Sequence, residues 1–333
     1  MQFYSSLGGV PADFGPSAVT IGKFDGVHAG HRRVIEQLRD AAAAEGLLAT
    51  VLTFDRHPLA LLKPELSPTS LTSNDQKRAV LDTTGIDATV MIEFNTEFSM
   101  QTPEEFVEHV LVDGLHARLV FVGPDFRFGH RGLGTVELLV ALGERHGFEV
   151  RMIDAVKPDG VRAISSTWIR DLLSEGRVGE AATLLGRRPA VRAVVVHGEQ
   201  RGHDLGYPTA NLSAEVEGFI PADGIYAAYL AVDGQTMPAA VSIGNNPTFE
   251  SVPDKRIEAH VLLPAPPGVS LDLYGKTVEV SFVEFVRGMQ KFSAVDDLVA
   301  QMTLDEQRIR EILGVSARRT VPSDAIPGGS VPR

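Results

Sequence analysis

The chain has 333 residues, of which 44% are apolar and 22% charged, and a formal net charge of −12. That length exceeds one ordinary core and predicts two domains, while the acidic balance argues against a general nucleic-acid or anionic-membrane surface. With no cysteine in the sequence, disulfides, thiolate metal sites and thiol nucleophiles are all excluded. The N-terminus shows no basic start followed by an apolar core, and no apolar run reaches about 18 residues. A cytoplasmic protein with no membrane and no nucleic acid among its partners is expected.

In chain order, short runs rich in Val, Ile and Phe predict strands at 17–22, 47–54, 88–94, 117–123 and 148–156. Between them, Val34, Ile35, Leu38 and Ala42 recur at helical spacing over 32–45, and Val80 and Leu81 mark a helix over 74–84. Thr102-Pro-Glu-Glu105 reads as a helix start, with Thr102 as N-cap, proline in the first turn and Glu105 completing a capping box. Such alternation predicts an α/β domain, a parallel sheet with helices on both faces, whose ligands gather at the carboxyl ends of the strands. Residues 162–188 form a helical connector, with Ser166 or Thr167 able to cap it and Gly186 able to end it. After Pro189 the texture turns β-branched and alternating, at 191–196, 224–232, 239–243, 256–262 and 277–285, until a helical pattern at 295–313. That region predicts an antiparallel barrel or sandwich closed by a C-terminal helix. The expected division is 1–186, 187–315 and a disordered tail at 316–333.

The richest segment of the first half is Gly22-Lys-Phe-Asp-Gly-Val-His-Ala-Gly-His31. It lies where a predicted strand gives way to a helix N-terminus, which presents free backbone N–H groups and a positive dipole end to phosphate. Two histidines three residues apart can stabilise charge on a reacting phosphoryl group. Taken alone, a Gly-rich turn with incidental histidines explains the segment equally well. Thr53-Phe-Asp-Arg-His-Pro58 ends the second strand, Phe121-Val-Gly-Pro-Asp-Phe-Arg-Phe-Gly129 follows the fourth, and Ile164-Ser-Ser-Thr-Trp-Ile-Arg170 opens the connector. Ser165, Ser166 and Thr167 also suit simple caps, and Phe126 and Phe128 also suit a core.

Taken jointly and in order, these segments resemble the adenylyltransferase module of bacterial bifunctional riboflavin kinase/FMN adenylyltransferases, a Rossmann-like nucleotidyltransferase domain. The resemblance implies ATP contacts from Gly22, Phe24, Asp25, His28, His31, Ser165, Ser166, Thr167 and Arg170, with His28 and His31 catalytic. It implies flavin contacts from Asp125, Phe126 and Phe128. Lys23 stands where threonine is more usual, and Asp125 where some members have asparagine.

In the second half, Gly198-Glu-Gln-Arg-Gly-His-Asp-Leu-Gly-Tyr-Pro-Thr-Ala-Asn-Leu212 combines glycines that let a backbone approach phosphate with oxygen ligands of the kind Mg²⁺ takes. The segment resembles the signature of riboflavin kinase. Gly224-Ile-Tyr226, Ser242-Ile-Gly-Asn-Asn-Pro-Thr-Phe249, Ile257-Glu-Ala-His260, Asp272-Leu-Tyr-Gly275 and Phe285-Val-Arg-Gly-Met-Gln-Lys-Phe292 follow at the intervals of that family. The resemblance implies a β-barrel kinase domain in which Gly198, Gly202 and Gly206 meet ATP, Thr209 and Asn211 hold Mg²⁺, Glu258 is the general base and Arg287 meets the flavin. His203 replaces the usual arginine. Gly275-Lys-Thr277 imitates the end of a P-loop, but Ser270 stands where the motif needs glycine.

The implied function is phosphorylation of riboflavin to FMN by the second half and adenylation of FMN to FAD by the first, with ATP, riboflavin and FMN as the small molecules bound. Alternatives are a single competent module or a flavin-binding regulator without turnover. A monomer or a transient homo-oligomer fits the sequence equally well.

Overall fold

In a computed structural model, the described residues are 1–153, 156–158, 160–197, 207–244, 255–262 and 272–315. They form two compact units, Met1–Val191 with Glu217–Pro221, and Arg192–Val216 with Ala222–Arg333. The tail at 316–333, expected to be disordered, lies outside the described residues.

The first unit is a parallel sheet of β1 (Gln2–Tyr4), β2 (Ser17–Ile21), β3 (Leu48–Phe54), β4 (Ala88–Ile92), β5 (Ala117–Val122) and β6 (Glu149–Met152), in the order β1-β4-β3-β2-β5-β6. Parallel strands need crossovers, and helices supply them. These are α1 (Ala29–Glu45), α2 (Pro58–Leu62), α3 (Asn74–Asp82), α4 (Thr96–Met100), α5 (Pro103–Phe106, running into a π-helical turn at Val107–Gly114) and α6 (Val136–His146).

Successive residues of the central strands point to opposite faces, and both faces are covered. Val19, Ile21, Val120 and Val122 pack with Phe106, Leu111 and Leu139. Ala18, Leu119 and Phe121 pack with Leu38 and Ala42, while Val51 packs with Ile35 and Leu81. Thr102 and Glu105 form the reciprocal capping box that the sequence predicts.

The connector differs from expectation. It is two helices, α7 (Ser166–Ser174) and α8 (Val178–Leu185), parted at Gly176, whose φ of 77° belongs to the left-handed region. Its cap is Ser165, which accepts from the Trp168 N–H at 3.2 Å; neither Ser166 nor Thr167 takes that role. Gly186 ends α8 in the left-handed conformation, as predicted.

The second unit is a closed antiparallel barrel and not a sandwich. Its strands are β7 (Ala190–Val196), β8 (Ala210–Leu212), β9 (Gly224–Val232), β10 (Gln235–Gly244), β11 (Arg256–Val261) and β12 (Thr277–Arg287), ordered β10-β11-β8-β7-β12-β9. Closure leaves no sheet edge unpaired. Tyr226 and Phe282 fill the interior, ring to ring at 5.3 Å, and both are fully buried. The closing helix α9 (Val295–Leu313) lays Ile309 against Ala227 and Leu262.

Candidate active sites

At the carboxyl end of β2 the chain turns through 22–28 into α1 with Phe24, Gly26 and Val27 all at positive φ (49°, 75° and 40°). A Cβ on Gly26 would come within 2.7 Å of Leu71 Cδ1, so this turn requires glycine there. For Phe24 and Val27 the same region costs on the order of 1–3 kcal/mol each, strain that surrounding structure must hold in place. Phe24 is anchored by burial at 2% exposure, and Val27 at 0%.

His28 is the N-cap of α1, and its Nδ1 accepts from the His31 N–H at 3.3 Å. A neutral imidazole whose Nδ1 accepts carries its proton on Nε2. The two rings stack at 3.6 Å and 15°, with Phe24 at 4.9 Å from His31. Burial first, then the Arg187 charge, holds His28 down at about 4. Burial, the neighbouring His28 and the lysines at 23 and 77 hold His31 well below the ordinary range. Two stacked, buried imidazoles are therefore neutral near pH 7 and serve as hydrogen-bonding groups. The positive charge of the site comes from Lys23, Lys77 and Arg170.

The segment Ile164–Arg170 reaches this turn from α7. Arg170 Nη1 meets Asp25 Oδ2 at 2.7 Å, both side chains 15–16% exposed. Asp25 Oδ1 accepts from the Leu71 N–H at 2.7 Å. Ser166 Oγ donates to the Asp25 carbonyl at 3.0 Å, and Thr167 Oγ1 accepts from Arg170 Nη2 at 3.3 Å. Gly22, Phe24, Asp25, His28, His31, Ser165, Ser166, Thr167 and Arg170 thus meet around two helix N-termini, those of α1 and α7. In the protein alone, Asp25 serves as the clasp between them. Lys23 Nζ lies 3.0 Å from His57 Nε2.

Beyond β5, Phe126 stacks on Phe128 at 5.6 Å and 16°. Phe128 is 6% exposed, Phe126 is half-buried and Asp125 is exposed. The pair ends a continuous aromatic run that the motifs do not announce. Phe54 meets Phe94 at 5.6 Å and Phe98 at 5.8 Å, Phe98 meets Phe106 at 6.1 Å, and Phe106 meets Phe128 at 5.5 Å. Phe54 ends β3, Phe94 and Phe128 come after β4 and β5, and Phe98 and Phe106 lie in the short helices α4 and α5 that follow β4. That placement is the signal the sequence offers for them.

In the barrel, β11 pairs with β8 so that Glu258 stands directly opposite Asn211. Residues 47 positions apart in sequence thereby become nearest neighbours on one face. Thr209 and Glu258 line a cavity of about 580 Å³ together with Tyr207, His260 and Arg287. His260, two residues beyond Glu258 and so on the same face, carries no role of its own in the sequence pattern. Its ring Nδ1 lies 2.8 Å from the Pro208 carbonyl oxygen and its face meets Tyr207 edge-on, which ties β11 to the residue before Thr209.

Arg287 is held, not solvated. Nε and Nη2 fork onto Asp305 of α9, the closest contact being 2.6 Å, and Nη1 donates to the Gly288 carbonyl. Gly198, Gly202, His203 and Gly206 lie outside the described residues. The rejected P-loop imitation is a turn in which Lys276 pairs with Asp233 at 2.7 Å. Among the described residues no cluster of three or more His, Asp or Glu could hold a metal, and no helix is long and apolar enough to cross a membrane.

Residues 10–168 match the FAD synthetase family and residues 185–313 the riboflavin kinase family. The chain is 36% identical over 293 residues to the bifunctional riboflavin kinase/FMN adenylyltransferase of Listeria monocytogenes, covering 88% of this chain and 91% of that one. The protein of the same name from Escherichia coli K12 is 33% identical over 299 residues, covering 90% and 93%. That from Pseudomonas fluorescens is 32% identical over 319 residues, covering 96% and 100%. A solved structure from Streptococcus pneumoniae, titled as a macrolide-efflux protein, superposes with a TM-score of 0.78 at 30% identity and covers 92% of this chain and 98% of that one. An α/β unit with a paired-histidine turn, followed by a closed barrel with a glutamate facing an asparagine, matches these families in the same order along the chain: the chain belongs to the bifunctional riboflavin kinase/FMN adenylyltransferase family, with FAD synthetase activity in its N-terminal part and riboflavin kinase activity in its C-terminal part.

Proposed function

We propose a division of labour in which Glu258 serves the kinase reaction and the His28–His31 pair serves the adenylylation, within domains bounded at 186/187. The observation that carries the kinase assignment is the register that sets Glu258 against Asn211, with Thr209 and Glu258 lining one cavity. There Glu258 accepts the proton of the ribityl 5′-hydroxyl as that oxygen bonds to the γ-phosphorus of ATP and ADP leaves. The Thr209 hydroxyl and the Asn211 amide carbonyl are neutral oxygen donors, which fits Mg²⁺ carried in by a nucleotide more than a resident all-protein metal site. Bound there, Mg²⁺ would neutralise charge on the transferring phosphate. Arg287, fixed by Asp305, presents a rigid edge to the flavin.

In the first unit, a phosphate oxygen of FMN bonds to the α-phosphorus of ATP and pyrophosphate leaves. The His28 Nε2–H and the N-termini of α1 and α7 donate to oxygens on which charge develops, and because they are already in place they need no reorganisation during reaction. Arg170, held by Asp25, adds fixed positive charge. The half-buried Phe54 and Phe126 at the ends of the aromatic run provide stacking surface for an isoalloxazine. Both reactions draw on ATP, which fits a cytoplasmic location.

Chromatography of FMN and FAD after incubation with riboflavin, ATP and Mg²⁺ tests the assignment. His28→Ala is expected to stop FAD and spare FMN. Glu258→Ala is expected to lower FMN formation by roughly 10²- to 10⁴-fold, the usual worth of a general base, while FAD still forms from supplied FMN. Loss of both activities in each folded variant would overturn the division.

A further inference from the structure

Lys23 and His57 make a contact whose protons do not fit the protein alone. His57 caps α2, and its Nδ1 accepts from the Leu59 N–H at 3.1 Å. The neutral ring therefore carries its proton on Nε2, which faces Lys23 Nζ at 3.0 Å. An ammonium has three donors and no lone pair, so a protonated Lys23 sets donor against donor. The two groups share no acceptor, so the contact is satisfied only when an acceptor lies against both. Burial is the main cause pushing Lys23 below its ordinary range, helped by the Arg170 charge and opposed by Asp25. His57 is held at about 4 by burial and by the Lys23 and Arg170 charges, so it is neutral near pH 7.

The surroundings favour an anion. Lys23, Arg56, His57, Thr72, Asn74 and Lys77 line a small cleft. Its two carboxylates are already engaged: Asp25 with Arg170 and the Leu71 N–H, Asp55 with Arg56 and the Phe94 N–H. Lys77, also lining the cleft, donates to the Phe54 carbonyl at 2.7 Å, which fixes its position. The buried, neutral His31 lies on the α1 side. A chain of net charge −12 thus holds a local excess of cations here.

We propose that Lys23 and His57 are the two jaws of a phosphate subsite, in which an oxyanion enters between Nζ and Nε2 and accepts from both. The donor conflict then becomes a bridge. This inference rests on the reading that adenylyl transfer occurs at the carboxyl end of β2. Two phosphates of that reaction share the required chemistry, the monoester of FMN and the pyrophosphate end of the nucleotide.

Steady-state FAD formation by the full chain separates them. A charge-assisted contact is worth roughly 1.5–3 kcal/mol, so Lys23→Met is expected to raise either KM for FMN or the inhibition constant of inorganic pyrophosphate by about tenfold or more. A rise in the first assigns the subsite to the monoester, and a rise in the second to the pyrophosphate end. Lys23→Arg should restore most of the loss. Titration calorimetry with inorganic pyrophosphate should show binding that Lys23→Met weakens by about tenfold or more if the pyrophosphate end is the occupant. Thermal melting checks that each variant folds, with Lys23→Thr as the smaller replacement if Lys23→Met does not. Both constants within twofold of the parent in a folded variant would overturn the subsite. If His28→Ala still abolished FAD in that case, the reading of the adenylylation site would stand without it. If His28→Ala left FAD formation intact, that reading would fall instead.

Discussion

The two units prepare for phosphate chemistry in opposite ways. At the sheet edge of the first unit the polar side chains are largely spoken for by one another: Asp25 by Arg170 and Leu71, Ser166 by the Asp25 carbonyl, His28 by the His31 N–H. The barrel instead keeps an open cavity of about 580 Å³ lined by Thr209, Glu258 and Arg287. In the first unit, preorganisation comes from clasped helix N-termini and neutral imidazoles, whose dipoles are fixed before any ligand arrives. In the second it comes from strand register, which holds Glu258 opposite Asn211 beside an open cavity. A site of the first kind depends strongly on buried electrostatics. One of the second kind depends on backbone pairing.

Three experiments can break or sharpen this contrast. The largest effect is expected from Asp25→Ala, which leaves Arg170 buried without its carboxylate. Breaking a buried pair from one side costs roughly 3–5 kcal/mol, so calorimetry should show a sharply lowered transition for the first unit and an unmoved one for the barrel. Equal movement of both would break the comparison.

Acidification comes next. The folded value of His28 lies near 4, below the 6.5 of an unfolded chain. Between these limits the unfolded state binds a proton that the folded state refuses, so stability is complete above about pH 6.5 and is lost as pH falls toward 4. The gap between the folded and unfolded values makes His28 alone responsible for roughly 3 kcal/mol of that loss. Urea melts of the parent and of His28→Asn across this window should differ, with the variant flatter. Identical slopes would remove the buried imidazole as the cause.

The smallest effect is expected from Asp305→Asn in the barrel. Arg287 keeps a neutral acceptor and its Gly288 contact, so KM for riboflavin should rise by only about threefold to tenfold, the worth of roughly 1 kcal/mol. An unchanged KM would detach Arg287 from the flavin.

Much of this was legible in the sequence because it is local. The alternation of strand and helix patterns, the Thr102–Glu105 capping box and the glycine-ended connector each depend on residues within a few positions of one another. So does the placement of His28 and His31 on one helix start. The short elements escaped because they carry almost no signal of their own: β1 and β8 are three residues each and exist through pairing with distant strands. The helix α6 was missed although Thr135 caps it and Gly147 ends it in the left-handed conformation. The cap of α7 shifted to Ser165 because adjacent hydroxyls offer three candidates, and the docking of Ser166 and Thr167 onto Asp25 and Arg170 decides among them.

By itself, then, the sequence determined the two fold classes, their order and the candidate residues of each site, since these follow from periodicity and from motifs that stay contiguous. Tertiary structure alone decided that the histidines are neutral, that Asp25 is a clasp, that Glu258 faces Asn211 and that Lys23 meets His57. Proton positions and carboxylate partners depend on burial and on contacts tens to hundreds of residues apart, and no local pattern encodes either.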